Sequence, residues 1–385
     1  MHEIAEKVKH IFETEKGRPK KVTDPQEVPS TYDAITEEWL TKILCRDTPG
    51  AKVESFSFGE PDDGSSNRRR IFLSYNSAGQ SANLPATVFC KAAASIATRT
   101  VLAESGTALA EADFYRLARP RLDMPAPETY YANFDPDTFA YLIMMKDVGS
   151  TVKFPDERHD VSRKEAESLV DTLARLHSRF YESPELGTAT LPFARWHDWW
   201  PNMMKASPGF APCCDKAFGE CEHIMPARLF KRRPEIWPKT MASAAAHAHL
   251  PQTLIHSDVH LKNWFITGDG RMGLHDWQLA TIGHWSRDFI YSITTALSIE
   301  NRRAWEDDLL TLYLEKMAER GFPRVSKDMA WKNLRQQLMT ALGFWTITLR
   351  PAPEMADMQP EKTTWKFLER FYAAIDDHDA LDAFG

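Results

Sequence analysis

The most constraining feature of this chain is a spaced set of polar residues that begins near position 256. His256, Asp258 and Asn263 stand in the frame H-x-D-x-x-x-x-N, and a second carboxylate, Asp276, ends an apolar run thirteen residues after Asn263. The segment between Asn263 and Asp276 contains a β-rich run, a Gly-Asp-Gly turn and a short return, which together predict a β-hairpin. We therefore expect Asn263 and Asp276 at the same end of one hairpin.

These residue types, in this order, are typical of phosphoryl transfer from a nucleotide. One carboxylate, Asp258, would take the proton from an attacking hydroxyl, while Asn263 and Asp276 would hold the magnesium that bridges the phosphates. Magnesium prefers oxygen ligands and keeps several waters, so two protein ligands are enough. We assign His256 to holding the loop, because a single histidine is more often structural than catalytic.

Composition limits the class of protein. The 385 residues are 43% hydrophobic and 26% charged, which is typical of a globular chain with ample material for a core. The net charge of -7 disfavours a nucleic acid as partner. No apolar run approaches the ~20 residues of a membrane span. The five cysteines have no C-x-x-C spacing and the N-terminus lacks a secretory pattern, so we expect a cytoplasmic protein. The sequence leaves the oligomeric state open.

The first part of the chain predicts a five-stranded antiparallel sheet with one inserted helix. The helix is expected over Thr100–Arg119, stopped by Pro120. A shorter helix, capped by Thr36, is expected to run to about Cys45. The predicted strands alternate with turn-forming residues and lie at Lys52–Phe58, Arg70–Tyr75, Ala86–Ala92, Tyr130–Phe134 and Thr138–Met145.

After Gly149 the pattern becomes mainly helical. We expect an α+β chain with a bilobal arrangement: a small antiparallel β lobe over residues 1–146, which binds nucleotide, and a larger helical lobe over 147–385, which carries the catalytic and substrate residues. The candidate helices are Ser162–Tyr181, Trp196–Lys205, Cys213–Ala227, Glu235–His249, Trp285–Ser298, Arg302–Gly321, Lys327–Leu349 and Glu361–Asp376.

The candidate nucleotide contact of the first lobe is Lys91, near the end of the third predicted strand. A lysine within an apolar strand must aim its ammonium at an anion or at water. Glu111 follows twenty residues later on the predicted helix, and we prefer it to Glu104 as the partner. We expect a lysine at the open end of a cleft to contribute little to stability.

The turn between the first two strands is a weaker phosphate site. It contains Ser65 and Ser66, whose hydroxyl and backbone N–H groups could contact phosphate. Asp62 and Asp63 oppose phosphate binding there, and no G-x-G-x-x-G is present. The run Arg68–Arg70 fits a solvated strand end as well as a phosphate contact.

Taken together, these residues resemble the aminoglycoside phosphotransferase-like kinases, and especially the branch grouped with ecdysteroid kinases and choline kinase-like proteins. The resemblance extends from about residue 50 to about residue 300. The motifs that carry it, in the family's order, are Lys91, Glu111, Tyr141–Val148, Leu173–His177, His256-Ser-Asp258, Asn263 and Asp276-Trp-Gln278. It implies a protein-kinase-like fold that phosphorylates a small-molecule hydroxyl with ATP and magnesium.

The resemblance also implies roles for single residues. Asp258 would be the catalytic base, and Asn263 and Asp276 the magnesium ligands. Lys91 would contact the phosphates and Glu111 would orient it.

The adenine would be held by the backbone near Met145 and Lys146, and Asp288 matches a family aspartate that is usually structural. Only twelve residues separate Asp276 from Asp288, so no activation loop fits there, which disfavours a protein substrate.

The acceptor pocket is predicted only in outline. The helical lobe is rich in aromatic residues, and we favour a core-packing role for them; if some face the cleft, they would contact an acceptor with an apolar or aromatic body. His197, Arg287 and Arg350 could bind an anionic group, as in a hydroxyacyl compound. The candidate acceptor contacts are Trp199, Trp200, Trp285, Arg287 and Trp345.

Two other functions compete with a kinase. A metal-dependent hydrolase would use His256, Asp258, His260 and Asp276 as metal ligands, which leaves Lys91 without a role. A nucleotide-binding pseudokinase is disfavoured because the candidate base, metal ligands and lysine are all present.

Overall fold

The computed structural model describes residues 2–15, 18–206, 209–351 and 358–384. Internal contacts divide the chain into two compact units. The first, called the β-rich unit, comprises Met1–Pro120 and Ala126–Ser150, and the second, called the helical unit, comprises Arg121–Pro125 and Thr151–Gly385. A sheet dominates the first unit and helices dominate the second, so the predicted α+β class is confirmed.

The β-rich unit is built on an antiparallel sheet with the strand order β1-β3-β4-β6-β5, with β2 paired to β3. All five predicted strands are present, and the structure adds the short β2. The strands are β1 (Val53–Phe58), β2 (Asp62–Asp63), β3 (Asn67–Tyr75), β4 (Thr87–Ala92), β5 (Thr129–Phe134) and β6 (Tyr141–Lys146).

Helices cover this sheet and complete its core. The Thr36 hydroxyl caps the second helix by accepting a hydrogen bond from the Trp39 backbone N–H, as the sequence pattern indicates. Trp39 and Leu40 of that helix are buried with the apolar residues of the sheet. The helices are α1 (His2–Glu15), α2 (Glu37–Leu44), α3 (Ser77–Ser81), α4 (Ile96–Ser105) and α5 (Thr107–Asp113).

The single long helix predicted over Thr100–Arg119 is wrong. The first helix begins earlier, at Ile96, because Ser95 and Thr98 form a reciprocal capping box. It ends at Gly106, whose φ of 71° is left-handed, a conformation that glycine adopts without steric strain. After α5 the chain continues as a π-helical turn, Phe114–Ala118. The break separates Glu104 from Glu111.

The helical unit contains nine helices among its described residues, together with short strand pairs. The helices are α6 (Arg163–Phe180), α7 (Trp196–Ala206), α8 (Phe210–Glu220), α9 (Ala227–Lys231), α10 (Ile236–Ala246), α11 (Ser286–Ala296), α12 (Ile299–Glu319), α13 (Lys327–Leu349) and α14 (Glu361–Asp377). The strands are β7 (Val152–Lys153), β8 (Thr253–Ile255), β9 (Trp264–Thr267), β10 (Met272–Leu274) and β11 (Thr281–Gly283).

The predicted helices of this unit are present, with one correction. The helix expected over Cys213–Ala227 ends early: α8 stops at Glu220, turn residues follow, and a separate helix, α9, begins at Ala227 directly after Pro226. The long helix α13 packs against α8, α10, α11 and α14 and forms the centre of the unit. None of the described helices has the length and apolar character that a membrane crossing requires.

Candidate active site

The loop that carries the predicted base is held by one buried carboxylate. This loop follows β8, and Asp288, in the first turn of α11, accepts hydrogen bonds from the backbone N–H groups of His256 (2.7 Å) and Ser257 (2.9 Å). His177 lies 3.3 Å from the same carboxylate. Burial raises the pKa of Asp288, but His177 and the backbone amides outweigh it and hold the pKa below its usual value. The loop backbone is therefore fixed by an ionised Asp288.

Ser257 takes part in this arrangement through its backbone. Its φ of 68° lies in the left-handed region, which is uncommon for a residue with a side chain. The Ser257 carbonyl accepts a hydrogen bond of 2.8 Å from Arg287. Both backbone ends of Ser257 thus contact α11, which stabilises an otherwise unfavourable conformation.

His256 has a structural position. Its Nδ1 accepts a hydrogen bond from the Asp258 backbone N–H (3.2 Å), so the proton is on Nε2, which donates to the His275 carbonyl (3.0 Å). Both ring nitrogens are therefore engaged. Burial lowers the pKa of His256 and favours the neutral ring.

The hydrolase alternative is not supported. With both nitrogens of His256 in hydrogen bonds, this residue has no lone pair for a metal. Within the described ranges, no group of three or more His, Cys, Asp or Glu side chains is arranged to hold a metal ion.

Asp258 is surrounded by hydrogen-bond donors and remains partly accessible. Its Oδ1 accepts from the Tyr291 hydroxyl at 3.0 Å, and its Oδ2 accepts from Asn263 Nδ2 at 3.1 Å. His260 Nε2 lies 3.6 Å from Oδ2, and the carboxylate side chain is 29% exposed. Burial raises the pKa of Asp258, but His260 and His256 outweigh it, so the pKa lies below its usual value. The group is ionised at neutral pH and able to accept a proton.

The hairpin brings the other two predicted residues together. Strands β9 and β10 pair with Leu274 opposite Trp264, and the His275 backbone N–H donates to the Asn263 carbonyl at 3.0 Å. Asn263 and Asp276 thus lie at the same end of the hairpin, as the spacing predicts. Asp276 has a φ of 65°, a second left-handed residue in this region.

The orientation of the Asn263 amide fits a cation site. Its Nδ2 donates both to the Asp258 carbonyl (2.8 Å) and to the Asp258 carboxylate (3.1 Å). Because both partners are acceptors, the network identifies the amide nitrogen on this side, so the oxygen, Oδ1, is the atom that a cation would contact. An amide oxygen and a carboxylate from the same end of one hairpin are the kinds of donor that suit magnesium.

In the β-rich unit, Lys91 is paired with Glu111 and not with Glu104. Lys91 Nζ lies 2.7 Å from Glu111 Oε1, and the two side chains are 7% and 0% exposed. The Tyr141 hydroxyl donates to the other oxygen, Oε2, at 2.6 Å. The expectation that Lys91 has an exposed end is therefore wrong, because its ammonium is buried beside a fully buried carboxylate, and such a pair is costly to break.

The turn after β1 is a small hairpin whose charges are internally paired. Asp62 contacts Arg68 at 2.9 Å and Asp63 contacts Arg69 at 3.2 Å. The two carboxylates that opposed phosphate binding are thus neutralised by the arginine run itself. Ser65 is exposed, whereas Ser66 is buried and presents no surface to a ligand.

The predicted adenine contacts lie inside the sheet. Met145 pairs with both β4 and β5, and the Lys146 backbone N–H donates to the Glu128 carbonyl at 2.9 Å. The Lys146 N–H is therefore engaged, and a base would have to contact a carbonyl at this strand end.

The predicted acceptor contacts are mostly core residues. Trp200, Trp285 and Arg287 are at most 1% exposed and Trp345 is 3% exposed, so burial argues against direct acceptor contact. Trp199 alone of the five is partly exposed, and it stacks on Trp196 with ring centroids 5.5 Å apart.

The three cationic candidates also have other partners. Arg287 lies over the Trp196 ring at 3.8 Å and bonds Thr340 as well as the loop, and burial lowers its pKa to about 10. Arg350 bonds the Glu220 carboxylate at 2.7 Å, and His197 lies 3.7 Å from Asp198.

The sequence interpretation missed Tyr141 and Tyr291, the two hydroxyls that bond the site carboxylates. A signal for Tyr291 was present. It follows Asp288 by three residues, so both lie on one face of α11, and a face that contacts the loop through Asp288 contacts it again one turn later. Tyr141 had no comparable signal, because a tyrosine in an apolar strand is ordinary core composition.

Comparisons with known proteins agree with this architecture. Residues 86–326 match the model of the phosphotransferase enzyme family, which is more than half of the chain. A Ralstonia eutropha protein classed with the aminoglycoside phosphotransferases superposes with a TM-score of 0.50 at 14% identity, covering 88% of this chain and 97% of that one. The predicted protein-kinase-like fold is confirmed.

Two further solved structures are similar at lower scores. The GDP complex of aminoglycoside 2'-phosphotransferase-IIIa has a TM-score of 0.47 at 11% identity, over 88% of this chain and 99% of that one. A choline/ethanolamine kinase family protein from Mesorhizobium loti has a TM-score of 0.43 at 13% identity, over 85% and 92%. No curated protein matches the chain.

Proposed function

The chain belongs to the phosphotransferase enzyme family and is a kinase of small molecules, and we propose that it transfers the γ-phosphoryl group of ATP to a hydroxyl, with magnesium as cofactor. The observation that carries this proposal is the environment of the Asp258 carboxylate. An ionised, partly exposed carboxylate is bonded to an asparagine whose free amide oxygen lies at the same hairpin end as a second carboxylate. Phosphoryl transfer requires these groups together.

In the proposed reaction, Asp258 accepts the proton of the acceptor hydroxyl as its oxygen bonds to the γ-phosphorus. The bond from that phosphorus to the bridging oxygen of ADP breaks, so the products are the phosphorylated acceptor and ADP. Asn263 Oδ1 and Asp276 would hold magnesium, which when bound offsets the negative charge of the phosphates. Asn263 also orients Asp258, so one amide serves both groups.

The β-rich unit would supply the nucleotide contacts. Lys91 would contact the α- and β-phosphates, with Glu111 holding its ammonium in place. Ser65, exposed in the turn, would add a hydroxyl contact, and the strand end at Met145 and Lys146 would contact the adenine through a carbonyl. Ser66 is left out of this set because it is buried.

The acceptor is proposed as a small alcohol with an apolar or aromatic body, or a hydroxyacyl compound. The partly exposed ring of Trp199, stacked on Trp196, is the aromatic surface that supports this choice. An exposed aromatic face favours flat or apolar groups over the polar faces of a sugar.

The direct test is ADP release by the purified protein with magnesium and ATP, against a panel of alcohols, phenols, hydroxyacyl compounds, sugars and amino alcohols. With the acceptor that gives turnover, Asp258→Asn should lower kcat by roughly two to four orders of magnitude, the usual contribution of a general base. The affinity for ATP should remain near that of the wild type.

Asp269→Asn is the control, because Asp269 is a carboxylate in the exposed turn of the β9–β10 hairpin whose oxygens also accept hydrogen bonds, from Thr267 and Arg271. Its kcat should equal that of the wild type. If Asp258→Asn stays within a few-fold of wild-type kcat on its true acceptor, Asp258 is not the base.

A further inference from the structure

Two buried residues of the helical unit form a directed hydrogen-bond chain that ends on Asp258. The Trp345 indole Nε1 lies 2.8 Å from the Tyr291 hydroxyl oxygen, and that oxygen lies 3.0 Å from Asp258 Oδ1. Tyr291 is 0% exposed and Trp345 is 3% exposed. An aromatic core position needs no hydroxyl, so the oxygen of Tyr291 calls for a reason beyond packing.

The chemistry of the donors fixes the direction of the chain. An indole N–H can only donate, so the Tyr291 oxygen accepts from Trp345. An ionised carboxylate can only accept, so the Tyr291 proton is directed at Asp258. Trp345 thereby holds the Tyr291 hydroxyl in the one rotation that serves Asp258.

The carboxylate needs such a contact because its own torsion is soft. The terminal sp³–sp² torsion of an aspartate has a broad energy well, so the two oxygens rotate readily unless both are held. In this structure both oxygens accept a hydrogen bond: Tyr291 donates to Oδ1 at 3.0 Å and Asn263 donates to Oδ2 at 3.1 Å. The pair fixes the plane of the carboxylate.

Trp345 also contacts the third neighbour of Asp258. The His260 ring meets the Trp345 ring nearly edge to face, with centroids 5.2 Å apart at 81°. His260 Nε2 is in turn 3.6 Å from Asp258 Oδ2. A single indole on α13 therefore supports groups on both sides of the carboxylate.

We propose that Tyr291 and Trp345 are positioning residues that fix the carboxylate plane of Asp258 for proton transfer, an inference that rests on the proposed function. They act through Asp258 and contact neither nucleotide nor acceptor. Small misplacements of a reacting group lower rates steeply, by as much as about a hundredfold per ångström.

The test compares two variants with two matched controls. Tyr291→Phe should lower kcat by about 10- to 100-fold, the range of one hydrogen bond to a charged group, and Trp345→Phe should lower it by less. The KM for Mg-ATP should stay within about twofold in both, because the contact serves only the proton transfer.

The controls remove the same chemical groups, a tyrosine hydroxyl and an indole N–H, at other buried positions of the chain. Tyr372→Phe deletes a buried hydroxyl that lies against the Cys221 thiol, and Trp39→Phe deletes a buried indole N–H without a hydrogen-bond partner among the described residues. Both should keep wild-type kcat. A general loss of stability would move the controls and the test variants alike, which thermal unfolding of all four would reveal.

A double variant separates this inference from the proposed function. In the Asp258→Asn background, Tyr291→Phe should produce almost no further loss of kcat, because the carboxylate that Tyr291 orients has already been replaced. Full additivity, or a Tyr291→Phe variant with wild-type kcat beside an inactive Asp258→Asn, would overturn the inference and leave the proposed function standing. An Asp258→Asn variant with wild-type kcat would overturn both.

Discussion

Two tyrosine hydroxyls, one in each unit, donate to a carboxylate, and their surroundings differ in an instructive way. In the β-rich unit Tyr141 bonds Glu111 at 2.6 Å, and in the helical unit Tyr291 bonds Asp258 at 3.0 Å. Glu111 is fully buried and is neutralised by Lys91, whereas Asp258 is 29% exposed and accepts hydrogen bonds from the neutral side chains of Tyr291 and Asn263. The same local contact thus supports a charge pair in one unit and, under the proposed function, the proton acceptor in the other.

The difference follows from what each carboxylate must do. A buried glutamate stays ionised only beside a cation, because removing a charge from water without a partner is expensive. A proton acceptor must instead keep one face open to its substrate. Arg287 donates to the Ser257 carbonyl and to Thr340, and so holds the backbone of the Asp258 loop.

The largest expected effect is on stability, and it comes from breaking the Lys91–Glu111 pair in the β-rich unit. Glu111→Gln would replace the fully buried carboxylate that pairs with the Lys91 ammonium by a neutral amide, and the free energy of unfolding should fall by about 3–5 kcal/mol. Urea denaturation measures this change. The control is Glu128→Gln, which removes an exposed partner 3.7 Å from Lys146 and should change stability by only about 0–1 kcal/mol. Equal losses in both would contradict a structural role for the buried pair.

Lys91→Met tests whether the same lysine also contacts nucleotide. The substitution keeps the aliphatic length and removes the charge, so the dissociation constant of Mg-ATP should rise by about 10- to 100-fold. Calorimetric titration of ATP gives the value. Asp258→Asn, titrated in parallel, should bind ATP as the wild type does. A lysine variant with unchanged affinity would confine Lys91 to the structural role.

Asp276→Asn tests whether Asp276 of the helical unit contacts the metal. The concentration of magnesium that half-saturates ATP binding should rise by roughly tenfold, since one charged ligand is replaced by a neutral amide. ATP titrations at several magnesium concentrations measure the shift. If the magnesium dependence is unaltered, the cation is held by other groups.

The smallest expected effect comes from removing the Tyr141 hydroxyl, and the result is compared directly with that of Tyr291→Phe. Tyr141→Phe should lower the free energy of unfolding by about 1 kcal/mol, because Lys91 still neutralises Glu111. Its kcat should stay within about twofold of the wild type, whereas Tyr291→Phe should lose kcat. The same two measurements, denaturation and steady-state kinetics, apply to both variants. A Tyr141→Phe variant with a large loss of kcat would remove the distinction between the two sites.

Part of this arrangement was predictable from the sequence, because it depends on short-range spacing. The hairpin signal between Asn263 and Asp276 determines which residues lie at its end, and the strand pairing places them there. The pairing of Lys91 with Glu111 was also expected, since an apolar strand forces a lysine to find an anion.

Other features depend on packing that the sequence pattern does not resolve. A tryptophan on a helix has the same spacing whether it packs a core or contacts a ligand, so the burial of Trp200, Trp285 and Trp345 could not be foreseen. The contact between Trp345 and Tyr291 joins residues 54 positions apart. The break at Gly106 did carry a readable signal, a glycine within a helical pattern, that the prediction of one long helix ignored.

The left-handed backbone of Ser257 and Asp276 restricts how this enzyme can change by mutation. With φ values of 68° and 65°, both positions strongly disfavour β-branched side chains, and they favour glycine, asparagine and aspartate over the rest. In a mutational library that randomises the site, the folded variants should therefore carry only a few amino-acid types at these two positions. New acceptor specificity is more accessible through side chains around the site than through the loop and hairpin that hold it.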